Sequence, residues 1–349
     1  MSFLYNAWYC AAWASEVSRD EMMGRTLLNE PVLLYRKENG EAVAIGNRCP
    51  HRFAPLHRGK LKGDAVQCPY HGLTFNESGA CVHNPHGDGT LPQAAKVKSY
   101  RLVERDGILW IWMGDQSKVD ESLIPDFSTL LDPAFATSED YLNIGANYQL
   151  MTDNLLDLSH VPFLHPFLAD QGPPPPGFEA KFDLKQEGNT VYAFTTLINV
   201  PVSPLFKMLW QENVEVGEMR SHMRWSPPSS LWLDNGMTHV GRPTSEGPAF
   251  PSAHLLTPET ETSTHYHWAV ARDRQIHDIA LGKGLAAGVR QAFEHEDEPI
   301  IEACQDMMGT TDLMSLRPVI LPGDGAAIRA RRILAKLITA ERQAAPYAS

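Results

Sequence analysis

The chain lacks an excess of positive charge. Its 30 Lys and Arg stand against 42 Asp and Glu, a formal net charge of -12, which argues against a surface that tracks phosphates and so against a nucleic-acid partner. It also lacks any apolar run near the roughly 20 residues that a membrane-crossing helix needs, so no membrane partner is expected. Cysteine is scarce. The five present, Cys10, Cys49, Cys68, Cys81 and Cys304, are odd in number and widely spread, which is no disulfide framework and fits a reducing compartment. The opening MSFLYNAWYCAAWAS is moderately apolar, but no Lys or Arg precedes Arg19; the basic start of a secretion signal is missing and a cytoplasmic location is expected. Glycine-rich phosphate loops are absent too, and with them any footing for a nucleotide-dependent reaction.

What is present is enough apolar sequence for two cores. A length of 349 residues, 43% of them hydrophobic, suggests two domains at roughly 150 residues each. The first reads as a small antiparallel β domain over residues 1–118: PVLLYRK and EAVAIGN flank an Asn39-Gly40 turn, VQCPYHGLTFN and ACVH flank Ser78-Gly79, and ILWIWMGD closes it. The second covers 119–349. There YQLMTDNLLDLSHV is helical up to Pro162, the QGPPPPGF run is a stiff surface loop, and alternating strands fill 180–272. Helices follow at 283–309 and along AIRARRILAKLITAERQ, whose Ile328, Ile333, Leu334, Leu337 and Ile338 form one stripe. The class is α+β.

Two short elements carry chemistry in the first domain. Cys49-Pro50-His51 and Cys68-Pro69-Tyr70-His71 set C-x-H, sixteen residues, then C-x-x-H, each on a turn leaving a strand. Structural zinc is one reading, but zinc sites pair their ligands by type, as C-x2-4-C and H-x3-5-H. Here each element mixes the two. A Rieske [2Fe–2S] cluster needs that mixture, because one iron takes both thiolates and the other both imidazoles. Pro50, Pro69 and Gly72 supply the tight turns. Cys81, His83 and His86 follow closely, and a reverse turn with Asn84-Pro85 and Gly87 accounts for them without a metal.

A second group lies in DNLLDLSHVPFLH. His160 and His165 would point roughly 140° apart on an ideal helix; Pro162 distorts the helix and brings the rings together. Asp153, Asn154 and Asp157 sit among Leu150, Met151, Leu155 and Leu156, where a carboxylate or amide needs partners. Two imidazoles and one carboxylate are the facial triad of non-haem Fe(II) oxygenases. The carboxylate has to come from elsewhere, and EHEDEPIIE offers Glu294, Glu296, Asp297, Glu298 and Glu302.

These stretches resemble C-x-H-R-x-x-P-L…C-x-Y-H-G-L and D-N-x-x-D-x-x-H-x4-H of the Rieske non-haem iron oxygenases. The likeness runs over nearly the whole chain, from N-A-W-Y-x-A-A-W to LLTPETET. It is strongest to the group that includes vanillate O-demethylase, toluenesulfonate methyl-monooxygenase and dicamba demethylase, which act on a one-carbon substituent of an acidic aromatic ring. The resemblance implies a helix-grip-like second domain with an antiparallel sheet flanked by helices, and a cluster on Cys49, His51, Cys68 and His71. It implies Fe(II) on His160, His165 and, through E-D-x4-E, Asp297, with Glu294 the alternative because Pro299 unsettles the register. Leu73 stands where respiratory Rieske proteins would place a hydroxyl donor, which implies a low potential.

The implied activity is that of a terminal oxygenase. It takes NAD(P)H-derived electrons from a flavin/iron-sulfur reductase or a ferredoxin, uses O2 as co-substrate, and O-demethylates or hydroxylates a methyl or methoxy group of an aromatic acid. Hydroxylation of a ring or a larger hydrophobe is the alternative within enzymes, and a bare electron carrier the alternative outside them. The resemblance also implies a head-to-tail homotrimer in which Asp157 bridges His71 of one subunit to His160 of the next, with Asn154 beside the iron. Trp232 and His254 are candidate substrate residues, Met151 and Asp234 further ones, and Arg220, Arg224 and His254 candidate partners for an acid group.

Overall fold

In a computed structural model of the protein, which describes residues 3–165 and 174–344, the chain forms two units. The first comprises Tyr5–Ile124 together with Thr257–Thr260. Its larger sheet runs, edge to edge, Trp8–Trp13, Ile108–Trp112, Ser99–Arg105, Ala42–Gly46, Glu30–Arg36 and Met23–Leu27. The expected 31–47 hairpin is there, with Gly40 at φ 86° in the turn, a conformation that glycine adopts without a Cβ penalty. Residues 257–260 join this unit through Thr257 Oγ1, which donates to the Cys10 carbonyl, and through the Leu28 N–H, which donates to Pro258. A second sheet of four short strands, Lys60–Lys62, Ala65–Gln67, Thr74–Phe75 and Cys81–His83, carries the cysteine elements. Leu33, Tyr35, Ile45, Leu56, Val66 and Phe75 form one core with Cys49 and Cys68. The thiols therefore sit on packed apolar side chains.

The other unit is built on a seven-stranded sheet in the order Ala136–Ile144, Thr264–Arg272, Ser252–Pro258, Ser230–Thr238, Val216–Ser226, Thr190–Pro201, Glu179–Glu187. Helices α1 (Tyr148–Leu156), α2 (Val161–Leu164), α3 (Pro204–Leu209), α4 (Ile279–Ala292), α5 (Glu298–Met308) and α6 (Gly325–Ala344) accompany it. The described part of the proline run is a turn, with the Phe178 N–H donating to Pro175 and Gly177 at φ 77°. Among the described residues no helix is long and apolar enough to cross a membrane.

Two helix expectations need correction. The helix over 148–161 stops at Leu156, because Asp157 leaves the helical region (φ -119°, ψ 94°) and its carboxylate caps the next turn by accepting from the Ser159 N–H. Pro162 is not the breaker. It lies in the first turn of α2, where its missing N–H is no loss. The helix over 283–309 is likewise divided by a π-turn, Phe293–Asp297, in which the Glu298 N–H reaches back five residues to the Phe293 carbonyl. Pro299 then opens α5 within its first turn, so the proline that unsettled the register is accommodated by the extra residue of the π-turn.

Candidate metal centres

Each cysteine element closes on itself in the same way. The Cys49 N–H donates to Ala54 and the Phe53 N–H donates back to the Cys49 carbonyl; the Cys68 N–H donates to Leu73 and the Gly72 N–H donates back to Cys68. The fourth residue after each cysteine is left-handed, Phe53 at φ 58° and Gly72 at φ 76°. Two matching loops thereby present a buried thiol each, and the His51 and His71 rings lie 4.5 Å apart between centroids. The imidazole end opens to solvent beside Phe53 and Tyr70, which are 69% and 65% exposed. Burial pushes the Cys49 thiol up to about 11, against backbone hydrogen bonds from His51 and Arg52 that favour the thiolate. A thiolate in that position needs a cation, and a paired-thiol, paired-imidazole donor set fits a Rieske cluster. The turn at Asn84–Gly87 has a structural task. His86 donates from Nε2 to the His71 carbonyl at 2.8 Å, and a Cβ on Gly72 would meet Pro85 at 3.0 Å.

The iron candidates converge in the second unit. Donor atoms of His160, His165 and Asp297 all lie within 4.8 Å of one another. His160 Nε2 is 3.5 Å from Asp297 Oδ1, and His165 Nε2 is 3.3 Å from Oδ2. Both imidazoles are held from behind: His160 Nδ1 on the Asp157 carbonyl at 2.7 Å, His165 Nδ1 on Glu296 Oε2 at 2.6 Å. Asn154 Nδ2 donates to Asp297 Oδ1 at 2.9 Å. Burial works against a proton on His165, yet hydrogen bonds to Asp297 and Glu296 outweigh it and raise the ring above its usual range. The pocket favours positive charge, and two Nε2 atoms with a carboxylate fit Fe(II). Glu294 belongs elsewhere, paired to Arg290 at 2.7 Å.

Distant contacts fix this arrangement. Asn147 caps α1 and donates its own N–H to Gln305 Oε1, while Glu302 accepts from the Gly145 N–H at 2.7 Å. These two contacts tie the start of α1 to α5. Arg331 of α6 grips Asp153 of α1 through two nitrogens, the shortest contact 2.6 Å.

Two family models cover the regions that hold these residues. Residues 7–101 match the Rieske [2Fe-2S] domain, and residues 144–340 match the vanillate O-demethylase oxygenase C-terminal domain. The chain belongs to the Rieske oxygenase components of this family. It is 36% identical to the dicamba O-demethylase oxygenase component of Stenotrophomonas maltophilia, over 97% of this chain and 98% of that one. It is 37% identical to a toluene-4-sulfonate monooxygenase iron-sulfur subunit of Comamonas testosteroni at the same coverage. The crystal structure of dicamba monooxygenase bound to 3,6-dichlorosalicylic acid superposes with a TM-score of 0.92 at 34% identity, covering 98% of this chain and 99% of that one. A Rieske cluster and a mononuclear iron are accordingly the cofactors of this Rieske oxygenase.

The candidate substrate residues of the oxygenase divide by strand parity. Trp225 pairs with Leu231, and Leu231 with His254, so these share one face of the sheet. His254 packs on Phe293 of the π-turn and therefore faces the iron ligands. Trp232 sits one position over, on the opposite face, edge-on to Phe127. Its assignment to the substrate site is corrected on that ground. Arg220, Arg224 and Asp234 share its face, with Arg220 on Asp234 and Arg224 on the Asp126 carbonyl. His254 holds the Tyr266 hydroxyl on Nδ1 (2.7 Å) and Ser252 on Nε2 (2.9 Å). Burial pushes it down to about 3, so it offers hydrogen bonding and no charge. The loop after His165, a further candidate for the pocket, lies outside the described residues over 166–173. Sequence reasoning left Glu296, Gln305 and Arg331 without a role. Glu296 was available as the neighbour of Asp297, and Gln305 carried no local signal.

Proposed function

We propose that this oxygenase component uses O2 and reductase-supplied electrons to O-demethylate or hydroxylate a methoxy or methyl substituent of an aromatic acid. The observation that carries the reading is the convergence of His160, His165 and Asp297 in a chain that also holds the paired Cys-His loops. When bound, the cluster supplies electrons singly and the iron activates O2 for insertion into a C–H bond. A hydroxylated methoxy group is a hemiacetal, which collapses to a phenol and formaldehyde.

The side chains do the positioning. Asn154 and Glu296 orient Asp297 and His165, and the Asp157 carbonyl orients His160. Residues 1–118 form the electron-receiving domain in this reading and 119–349 the catalytic one, within a head-to-tail homotrimer in the cytoplasm. Asp157 would then be the bridge between His71 of the partner subunit, which would hold the cluster, and His160, which would hold the iron. An acid group on the substrate meets neutral donors, because Arg220 and Arg224 are on the other face; Ser221 and Asn235, hydrogen-bonded to each other, share the face of His254.

Iron, zinc and acid-labile sulfide per chain, measured on anaerobically purified protein, test the two centres: about three iron and about two sulfide are expected. Zinc without sulfide overturns the reading. With a ferredoxin reductase, NADH and a panel of methoxybenzoates, formaldehyde and phenol should appear in equal amounts. Oxygen uptake that yields neither across methoxy and methyl substrates rejects the proposed reaction. Asp157→Asn should keep both metals and lose most turnover, and unchanged turnover would sink the bridging role.

A further inference from the structure

Glu296 and Asp297 are consecutive, yet they address the same imidazole from opposite ends. Glu296 Oε2 lies 2.6 Å from His165 Nδ1, and Asp297 Oδ2 lies 3.3 Å from Nε2. Both carboxylates lie in the π-turn Phe293–Asp297, which is closed by the five-residue hydrogen bond from the Glu298 N–H to the Phe293 carbonyl.

The two iron histidines are also held unequally. His160 rests on a main-chain carbonyl, which any residue at 157 supplies, whereas His165 rests on a side chain that substitution can remove. His165 is 5% exposed, and among the described residues Glu296 Oε2 is the partner that its Nδ1 meets.

We propose that Glu296 is a positioning residue for the metal, which rests on the iron reading above. By accepting from Nδ1–H it holds His165 in the tautomer whose Nε2 lone pair is open to the ion, and it fixes the ring plane toward Asp297 and His160. Carboxylates behind metal-bound histidines set ligand orientation and basicity, and their loss usually weakens metal binding about 10- to 100-fold.

The test uses full-length protein with its cluster in place and the mononuclear site emptied by a chelator. Co(II) is then titrated into wild type, Glu296→Ala and Glu296→Gln, with visible absorption of the bound ion as the readout and cluster absorption as the internal check of folding. Glu296→Ala should bind Co(II) about 10- to 100-fold more weakly. Glu296→Gln, whose amide oxygen still accepts from Nδ1–H, should return to within a few-fold of wild type. Binding by Glu296→Ala within twofold of wild type overturns the proposal, as does Glu296→Gln binding no better than Glu296→Ala. A wild type that takes up no Co(II), or whose uptake His160→Ala leaves unchanged, defeats the iron reading instead.

Discussion

The two metal cradles are built by opposite means. Each cluster loop is closed by a pair of backbone hydrogen bonds within six consecutive residues, so its shape depends on chain direction and little else. The iron cradle joins a broken helix to a π-turn 131 positions away, and side chains make nearly every tie: Asn154 to Asp297, Glu296 to His165, Glu302 to Gly145, Arg331 to Asp153. A backbone-defined site resists substitution outside itself. A site defined by side chains inherits the stability of everything that braces it, and it is the one that remote changes should empty first.

The largest break in that contrast comes from Asp297→Ala. It removes the carboxylate that both Nε2 atoms face, so mononuclear iron should be lost and turnover should fall by more than the roughly 100-fold typical of an outer contact. The cluster should remain, with about two iron and two sulfide per chain. Cluster loss in the same variant would show that the two cradles are not separable.

Next in size is Arg331→Met. Asp153 would keep its carboxylate in a largely buried place without the guanidinium that now grips it, at a cost of about 3 kcal/mol. Burial already raises the Asp153 carboxyl above its usual range, against the pull of Arg331. Denaturant unfolding should show the loss, with iron released at lower denaturant than cluster absorption. Simultaneous loss of the two would mean that α6 braces more than the iron helix.

The same contrast explains what could be read from sequence. Cys49, His51, Cys68 and His71 were legible because a turn-borne ligand pair needs only spacing. His160 and His165 were legible as a pair, but the cause of their convergence was not: Pro162 drew attention as the helix breaker, while the break falls at Asp157, an N-cap acting through its side chain. Asp297 followed from family resemblance, and the π-turn that presents it has no local sequence signature. Trp232 and His254 were equal candidates because sheet-face assignment requires register, and a shift of one residue exchanges the faces. The partners Gln305 and Arg331 were invisible, since nothing near them in the chain names what they touch.

A smaller effect distinguishes the catalytic unit by pH. His254 has a folded-state value lowered to about 3 by burial, against about 6.5 for the unfolded chain. As pH falls below 6.5 the unfolded state takes up a proton that the folded state refuses, so stability falls with falling pH by about 1.4 kcal/mol per unit until about pH 3. Between pH 5.5 and 4.5 the unfolding free energy of wild type should drop by about that much more than that of His254→Asn. Equal slopes would show that the ring gains a proton in the folded protein.

Effects of similar or smaller size separate the two cluster loops from each other. Gly72 and Phe53 hold the same left-handed position, but a methyl at Gly72 meets Pro85 at 3.0 Å as well as the φ of 76°. Gly72→Ala should therefore lower stability by about 1–2 kcal/mol, seen as earlier thermal loss of cluster absorption. Phe53 already carries the left-handed penalty and is largely exposed. Phe53→Gly relieves about 1–2 kcal/mol of backbone strain and gives back about 0.5–1 kcal/mol through greater freedom of the unfolded chain, a net gain below about 1.5 kcal/mol. If Phe53→Gly instead loses stability as Gly72→Ala does, the phenyl ring is holding its loop in place, and the backbone alone does not define the cluster cradle.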